Sequence, residues 1–589
     1  MAGRDSRRRA RGLVAAAALG FWCWIAGAGY AEDSTEKGAA KPVLLTAAET
    51  PGLPARAKKT VVKPTFTSGD LDRMIETFLE SSKVPVAALT TDVEFVRRVY
   101  LDVTGKLPPP DQTRAFVTST ESGKRAKLIE YLLNSPEYAG NWGRYWRDVI
   151  RYRATNENLA QVGYKELEDW LAKQIQGNRP WDEVARELIT ATGKTSENAA
   201  VVFDLSHELQ AVELAGEVSR IFLGVQIQCA QCHDHPTDSW KRQQFHEFAA
   251  FFAGATRKRT NPKENPPIFE VVKNGKPRYT MPDLKDPRTQ TPVAPKFFLA
   301  SHMEPLPKGL TSAERHAVAA DYVTAQDNPW FGKAYVNRIW YALMGDAFYS
   351  PVDDMGPHRN AQAGEVLEAL ASQWQKGGYD VRWLFKTILN SKTYQREVRS
   401  TLSASSKTPF AANCPSRLRA DQILDSLVQA LNLPIDGRGG GGGPGAAAKR
   451  KAAGADPKVA DKEKAKAKTA GAGKNGPRNQ FNTLFGVDPS TPTDDVLGTI
   501  PQALFMMNGQ QVNRAIEARP GTVLGQILNT TADNRQALFA LYLRVLAREP
   551  TLKEIQTCGR HVEGVGNRQE AFEDILWSLI NTTEFITRR

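Results

Sequence analysis

Cysteine is scarce in this chain, with five in 589 residues, and one of them, Cys23, falls in an N-terminal apolar run. So few thiols exclude a disulfide scaffold, and a hydrophobic core has to hold the fold. Long apolar stretches are missing too. The one from about Leu13 to Ile25 is shorter than the ~18 residues a membrane-spanning helix requires. Charge of one sign is also absent from the body of the chain. The formal net charge is +12, yet residues 1–31 contribute +4 and residues 437–479 contribute +8, which accounts for all of it. A balanced folded part offers no basic face for phosphates, so no nucleic-acid partner is expected. Nor is there a Gly-x-Ser-x-Gly elbow, a dinucleotide fingerprint or a His-Glu-x-x-His helix.

What is present begins with an export signal. Arg4, Arg7, Arg8, Arg9 and Arg11 precede the apolar run, and Gly29-Tyr30-Ala31 lies just beyond it. Residues 1–31 therefore read as a secretory signal peptide cleaved after Ala31, with an uncleaved anchor as the alternative. Cleavage predicts a periplasmic or extracellular protein with no membrane span. That compartment tolerates disulfides, and bacterial haem attachment is also extracytoplasmic.

The chemistry concentrates in Cys229-Ala230-Gln231-Cys232-His233, followed by Asp234-His235-Pro236. Two cysteines three apart can form thioethers to the two vinyl groups of one porphyrin while the adjacent imidazole reaches its iron. The cofactor-binding candidates are thus Cys229, Cys232 and His233, with haem c as the cofactor. Two other occupants fit the same residues. His233 and His235 can ligate zinc or iron together with Cys229 and Cys232, or the two thiols can close as a disulfide with no cofactor. For a sixth haem ligand the candidates are Met281, Met303, His302 and His207, none at a decisive spacing.

Apolar spacing of three and four recurs along most of the chain and predicts a mainly α fold of two helical domains. After a flexible leader at 32–66, the first spans 67–256, beginning at Ser68-Gly69-Asp70 and containing Trp142, Trp146, Trp170 and Trp181 as core anchors. A helix from about Val212 to Phe222, ended by Gly224, leads into the motif, and a second from Trp240 to Phe252 leaves it. Residues 257–310 form a Pro-rich connector in which Ile268–Val272, Asn274-Gly275 and Tyr279–Met281 predict a β-hairpin. The second helical domain covers 311–589, broken by a disordered Gly/Ala/Lys-rich insertion at 437–479. Asp353-Asp354 reads as a helix cap rather than as a catalytic carboxylate pair.

The segment from Phe222 to Pro236, with Trp240 and Phe248-Ala249-Ala250-Phe251-Phe252, resembles the planctomycete secreted cytochrome-like domain. Arg97-Arg98-Val99-Tyr100-Leu101-Asp102-Val103-Thr104-Gly105 resembles its early part. Downstream, Asp327-Asn328-Pro329-Trp330-Phe331, Val336-Asn337-Arg338-Ile339-Trp340, Pro351-Val352-Asp353-Asp354 and Pro501-Gln502-Ala503-Leu504-Phe505-Met506-Met507-Asn508 resemble the planctomycete secreted domain that usually accompanies it. Neither domain has an established function. The resemblance and the motif together lead us to expect an exported electron-transfer or redox protein with a redox or binding partner outside the cytoplasm. The alternative is a non-catalytic binding scaffold in which the Cys/His motif is a disulfide or zinc staple.

Overall fold

Helix starts obey local hydrogen-bond chemistry. The Thr67 hydroxyl accepts from the Asp70 N–H at 3.2 Å while the Asp70 carboxylate accepts from the Thr67 N–H at 2.8 Å, and helix Ser68–Ser82 begins there. Such a reciprocal cap satisfies two otherwise orphaned donors. Ser135 accepts from the Tyr138 N–H in the same way, ahead of Pro136 in the first turn of Pro136–Arg151. The computed structural model describes residues 59–83, 85–155, 162–261, 267–300, 303–399, 408–433, 477–496 and 498–589. Residues 1–58, containing the predicted signal and most of the leader, lie outside the described residues, as do His302 and residues 434–476. The helix Pro477–Phe485 starts within the last residues assigned to the insertion.

The fold is mainly α, with only short strand pairs. Among the described residues, no helix is long and apolar enough to cross a membrane. Trp142, Trp146 and Trp181 are buried. Trp146 stacks on Tyr335 with centroids 5.3 Å apart, and Tyr335 stacks on Trp374 at 4.4 Å. Helices Pro136–Arg151, Pro329–Met344 and Gly364–Lys376 therefore share one aromatic column. Each pair contributes roughly 0.5–1.5 kcal/mol beyond the area it buries. Apolar packing is continuous from Leu71 to Ala411.

A second apolar cluster gathers residues from Leu418 to Phe585 and takes in Leu101 and Leu107 from the early chain. The seam between the clusters is polar. Arg144 reaches Asp421 and Asp425, both at 2.9 Å, and Arg588 pairs with Asp102 at 3.1 Å. The Gln422 amide donates to the Leu101 carbonyl at 2.9 Å.

One detail of the connector differs from the sequence reading. Phe269–Val272 does not fold forward across Asn274-Gly275. It pairs antiparallel with Thr256–Arg259 behind it and with Gly193–Lys194, while Thr280–Pro282 pairs with Gln290–Pro292. Three features override the turn dipeptide. The Lys273 ammonium is buried against Asp204 at 2.7 Å, and the carbonyls of Lys273 and Gly275 accept from Ala313 and Ser312, fixing the start of helix Ser312–Val323. Pro277 has no N–H for a return ladder and packs on Gly254, where a Cβ would lie 2.7 Å from it.

Candidate functional site

The Cys/His loop is launched by helix Ala211–Val218, which widens into a π turn at Ser219–Leu223 and stops at Gly224. Gly224 has φ +68° and a side chain there would meet Met355 Sδ at 2.6 Å, so both its conformation and its surroundings favour glycine. The 3₁₀ turn Ile227–Ala230 comes next. Val225, Ile227 and Ala230 are fully buried, whereas Cys229, Cys232 and His233 are exposed. Apolar pins thus hold the turn to the core and aim two free thiols and an imidazole outward.

Polar contacts fix the chain on either side of Cys232. His233 Nδ1 donates to the Asp234 carbonyl at 2.6 Å, which leaves Nε2 as the ring's second nitrogen. The Asp234 carboxylate accepts from the Arg242 N–H at 3.0 Å and from Lys241 Nζ at 3.1 Å, and these donors hold it below the usual carboxylate range. His246, buried on helix Arg242–Ala249, donates from Nε2 to the Gln231 carbonyl at 3.1 Å and accepts from the Tyr279 hydroxyl at 2.8 Å. Burial pushes its pKa down, which suits a neutral ring with one donor and one acceptor.

The sequence-predicted donors stand on one loop with distinct surroundings. Cys229, Cys232 and His233 present the chemistry haem attachment requires: accessible thiols and an imidazole whose other nitrogen is held by a carbonyl. His235 is half-buried, and its Nδ1 accepts from the Thr237 N–H at 3.3 Å. No three His, Cys, Asp or Glu side chains among the described residues are placed as metal ligands are. A zinc or iron site built from 229, 232, 233 and 235 therefore requires the loop to rearrange. Among the sixth-ligand candidates, His207 is fully buried against Phe203, and Met303 Sδ accepts from the Phe297 N–H at 3.3 Å. Met281 lies half-exposed in the strand paired with Gln290–Pro292, and His302 is outside the described residues. Behind the loop, Trp240, Phe248 and Phe298 pack on one another, so this aromatic face is spent on the core.

Sequence reasoning missed the other half of the site. Asp353 caps no helix. Its buried carboxylate accepts from Arg220 at 3.2 Å and from Gln226 Nε2 at 3.0 Å, with Arg338 at 3.8 Å and Arg153 at 3.6 Å. Burial pushes this acid up, but Arg338 and Arg220 outweigh it and hold it below the usual range. The Met355 N–H donates to the Gly224 carbonyl at 2.7 Å, and Arg359 reaches Thr237 Oγ1 and Asp354, both at 3.1 Å. The Asp238 side chain, 3% exposed, packs on Gly356, where any Cβ would overlap Asp238 Oδ2. Gly356, directly after two acids and a methionine, was the only sequence signal of that close approach.

Fold and loop together define a mainly helical protein whose outward Cys-x-x-Cys-His turn is gripped by a distant segment of the same chain. Residues 70–257 match the family model PSCyt2, a protein of unknown function (DUF1549), and residues 315–562 match PSD1, a protein of unknown function (DUF1553). The chain belongs to the proteins that carry these two domains in this order. The Cys/His loop falls within the first match, and Asp353 to Arg359 within the second. No curated protein and no solved structure matches the chain.

Proposed function

We propose that this is an exported redox protein in which Cys229 and Cys232 hold one haem c by thioethers and His233 ligates its iron. The observation that carries the reading is the outward presentation of all three groups from one pinned turn, with His233 Nδ1 engaged and Nε2 left over. Ligating imidazoles are oriented by a hydrogen bond of this kind at their second nitrogen. Bound there, haem supplies one-electron transfer. The chain's own residues divide the remaining work. Val225, Ile227 and Ala230 anchor the turn, and Asp234 and His246 set the path of the backbone on either side of Cys232. Trp240 and Phe248 are committed to the core, so Cys229, Cys232 and His233 would hold the group from the protein surface, where an extracytoplasmic redox partner could reach it.

The test is purification from a host that carries the haem-attachment machinery, then a pyridine haemochrome spectrum and elemental analysis. One haem per chain is expected, lost when Cys229 and Cys232 are both replaced by alanine. Colourless, metal-free protein with a Cys229–Cys232 disulfide sinks the proposal. One set of contacts favours the scaffold reading as the second choice. Asp234 with Lys241, His235 with Thr237, and His246 with Tyr279 close the loop's polar groups on one another without any ion. Under that reading the same experiment returns zinc, or no cofactor at all.

A further inference from the structure

We infer that the segment from Asp353 to Arg359 is a positioning element for the Cys/His loop, and that Asp238 and Gly356 are the contact through which it acts. The functional weight of this inference rests on the redox proposal; the geometry does not. Four contacts join the two segments: Met355 N–H to the Gly224 carbonyl at 2.7 Å, Gln226 Nε2 to Asp353 at 3.0 Å, Arg359 to Thr237 at 3.1 Å, and Asp238 against Gly356. They bracket the motif, two before Cys229 and two after His233. A loop held at both ends by a partner segment keeps its two sulfurs at one separation, and that separation sets how readily they join.

The Asp238–Gly356 contact leaves no room for a side chain at 356. Its carboxylate is nearly buried, with Oδ1 accepting from the Ser239 N–H at 2.7 Å and His358 Nδ1 4.0 Å away, while Oδ2 occupies the space a Cβ at 356 would need. A Cβ at 356 must therefore displace the Asp238 carboxylate from its seat. Alanine at 238 removes the group that fills the seat. Both changes break one and the same contact, so their effects must not multiply.

The experiment uses the full chain without haem. Its probe is the equilibrium in which two glutathiones reduce the Cys229–Cys232 disulfide, giving two protein thiols and one oxidised glutathione. Amide hydrogen exchange over residues 225–241 is read alongside. Gly356→Ala and Asp238→Ala are each expected to shift the thiol–disulfide equilibrium and speed exchange in this loop about tenfold, and the double variant by the same tenfold. Unchanged values in both single variants, or a hundredfold effect in the double, overturn the inference. Should Gly356→Ala not fold, Arg359→Ala at the partly exposed rim replaces it, with an expected shift of about threefold and no shift as the refuting result. Haem content is a separate readout. A wild-type protein that takes no haem, but whose variants shift as described, removes the cofactor reading and leaves the positioning role standing.

Discussion

Replacing Asp353 by asparagine isolates the charge that ties the motif's leading helix to the second family span. The side chain is 1% exposed and faces Arg220 at 3.2 Å and Arg338 at 3.8 Å, themselves almost fully buried. Asparagine has nearly the same shape and can still accept from Gln226, so packing is kept, while the negative charge is lost and an amide NH2 replaces the oxygen that accepts from Arg220. Two guanidinium groups then remain inside without it, although Glu217 still pairs with Arg220 at 2.5 Å. Removing one partner of such a buried pair costs about 3–5 kcal/mol, and the retained Glu217 places the expected loss near the lower end, about 3 kcal/mol. Urea unfolding monitored by tryptophan fluorescence measures it, with Asp354→Asn as the control. Asp354 is a partly exposed neighbour bonded to Arg359, so its loss is expected to be below about 1 kcal/mol. The pH dependence rests on the same geometry. Asp353 is held below the usual carboxylate range, so its contribution is complete above pH ~4 and fades only as pH falls through the lowered value. Wild type and variant therefore converge in strong acid. Equal losses for the two asparagine variants, or a gap that persists unchanged into strong acid, would refute the reasoning.

Acid sensitivity is expected at a second place. Burial holds His207 at about 4, so the native ring stays neutral while the unfolded chain takes up a proton below ~6.5; stability is lost between those values, by up to about 3 kcal/mol. His316 and His246, also pushed down by burial, act in the same direction, so the slope difference between wild type and His207→Gln isolates the one group. Gly224→Ala places a Cβ at positive φ beside Met355 Sδ and is expected to cost about 1–2 kcal/mol in a denaturation midpoint, since the flexible methionine can yield. Trp146→Ala empties the centre of the aromatic column and is expected to lower stability by about 3–5 kcal/mol, with loss of near-ultraviolet circular dichroism.

Local signals in the sequence located the helices well. The cap beside Asp70 and the buried faces of Trp142 and Trp146 express hydrogen bonding and apolar spacing within a few residues of chain. The Cys-x-x-Cys-His spacing was legible for the same reason, but the outward aspect of its turn was not. Asn274-Gly275 misled because a turn preference worth little was set against the buried Lys273–Asp204 pair, which acts over longer range, and against Pro277, which removes a ladder donor. The grip of Asp353 to Arg359 on the loop was not legible. More than a hundred residues separate Asp238 from Gly356, and no periodicity reports that a carboxylate will fill the space beside a glycine. Asp353-Asp354 read as a cap because, without Arg220 and Arg338 in view, two adjacent acids at a turn have no other visible use.

The column of Trp146, Tyr335 and Trp374 bears on how such genes can be dissected. A cut made between the two matched spans would strand half of a sandwich of rings on each fragment, each half offering a greasy wound to water. Neither piece is then a fair surrogate for the whole, and a graft that exchanges one span for a distant cousin's must carry matching rings across. The two spans are best treated as one heritable unit.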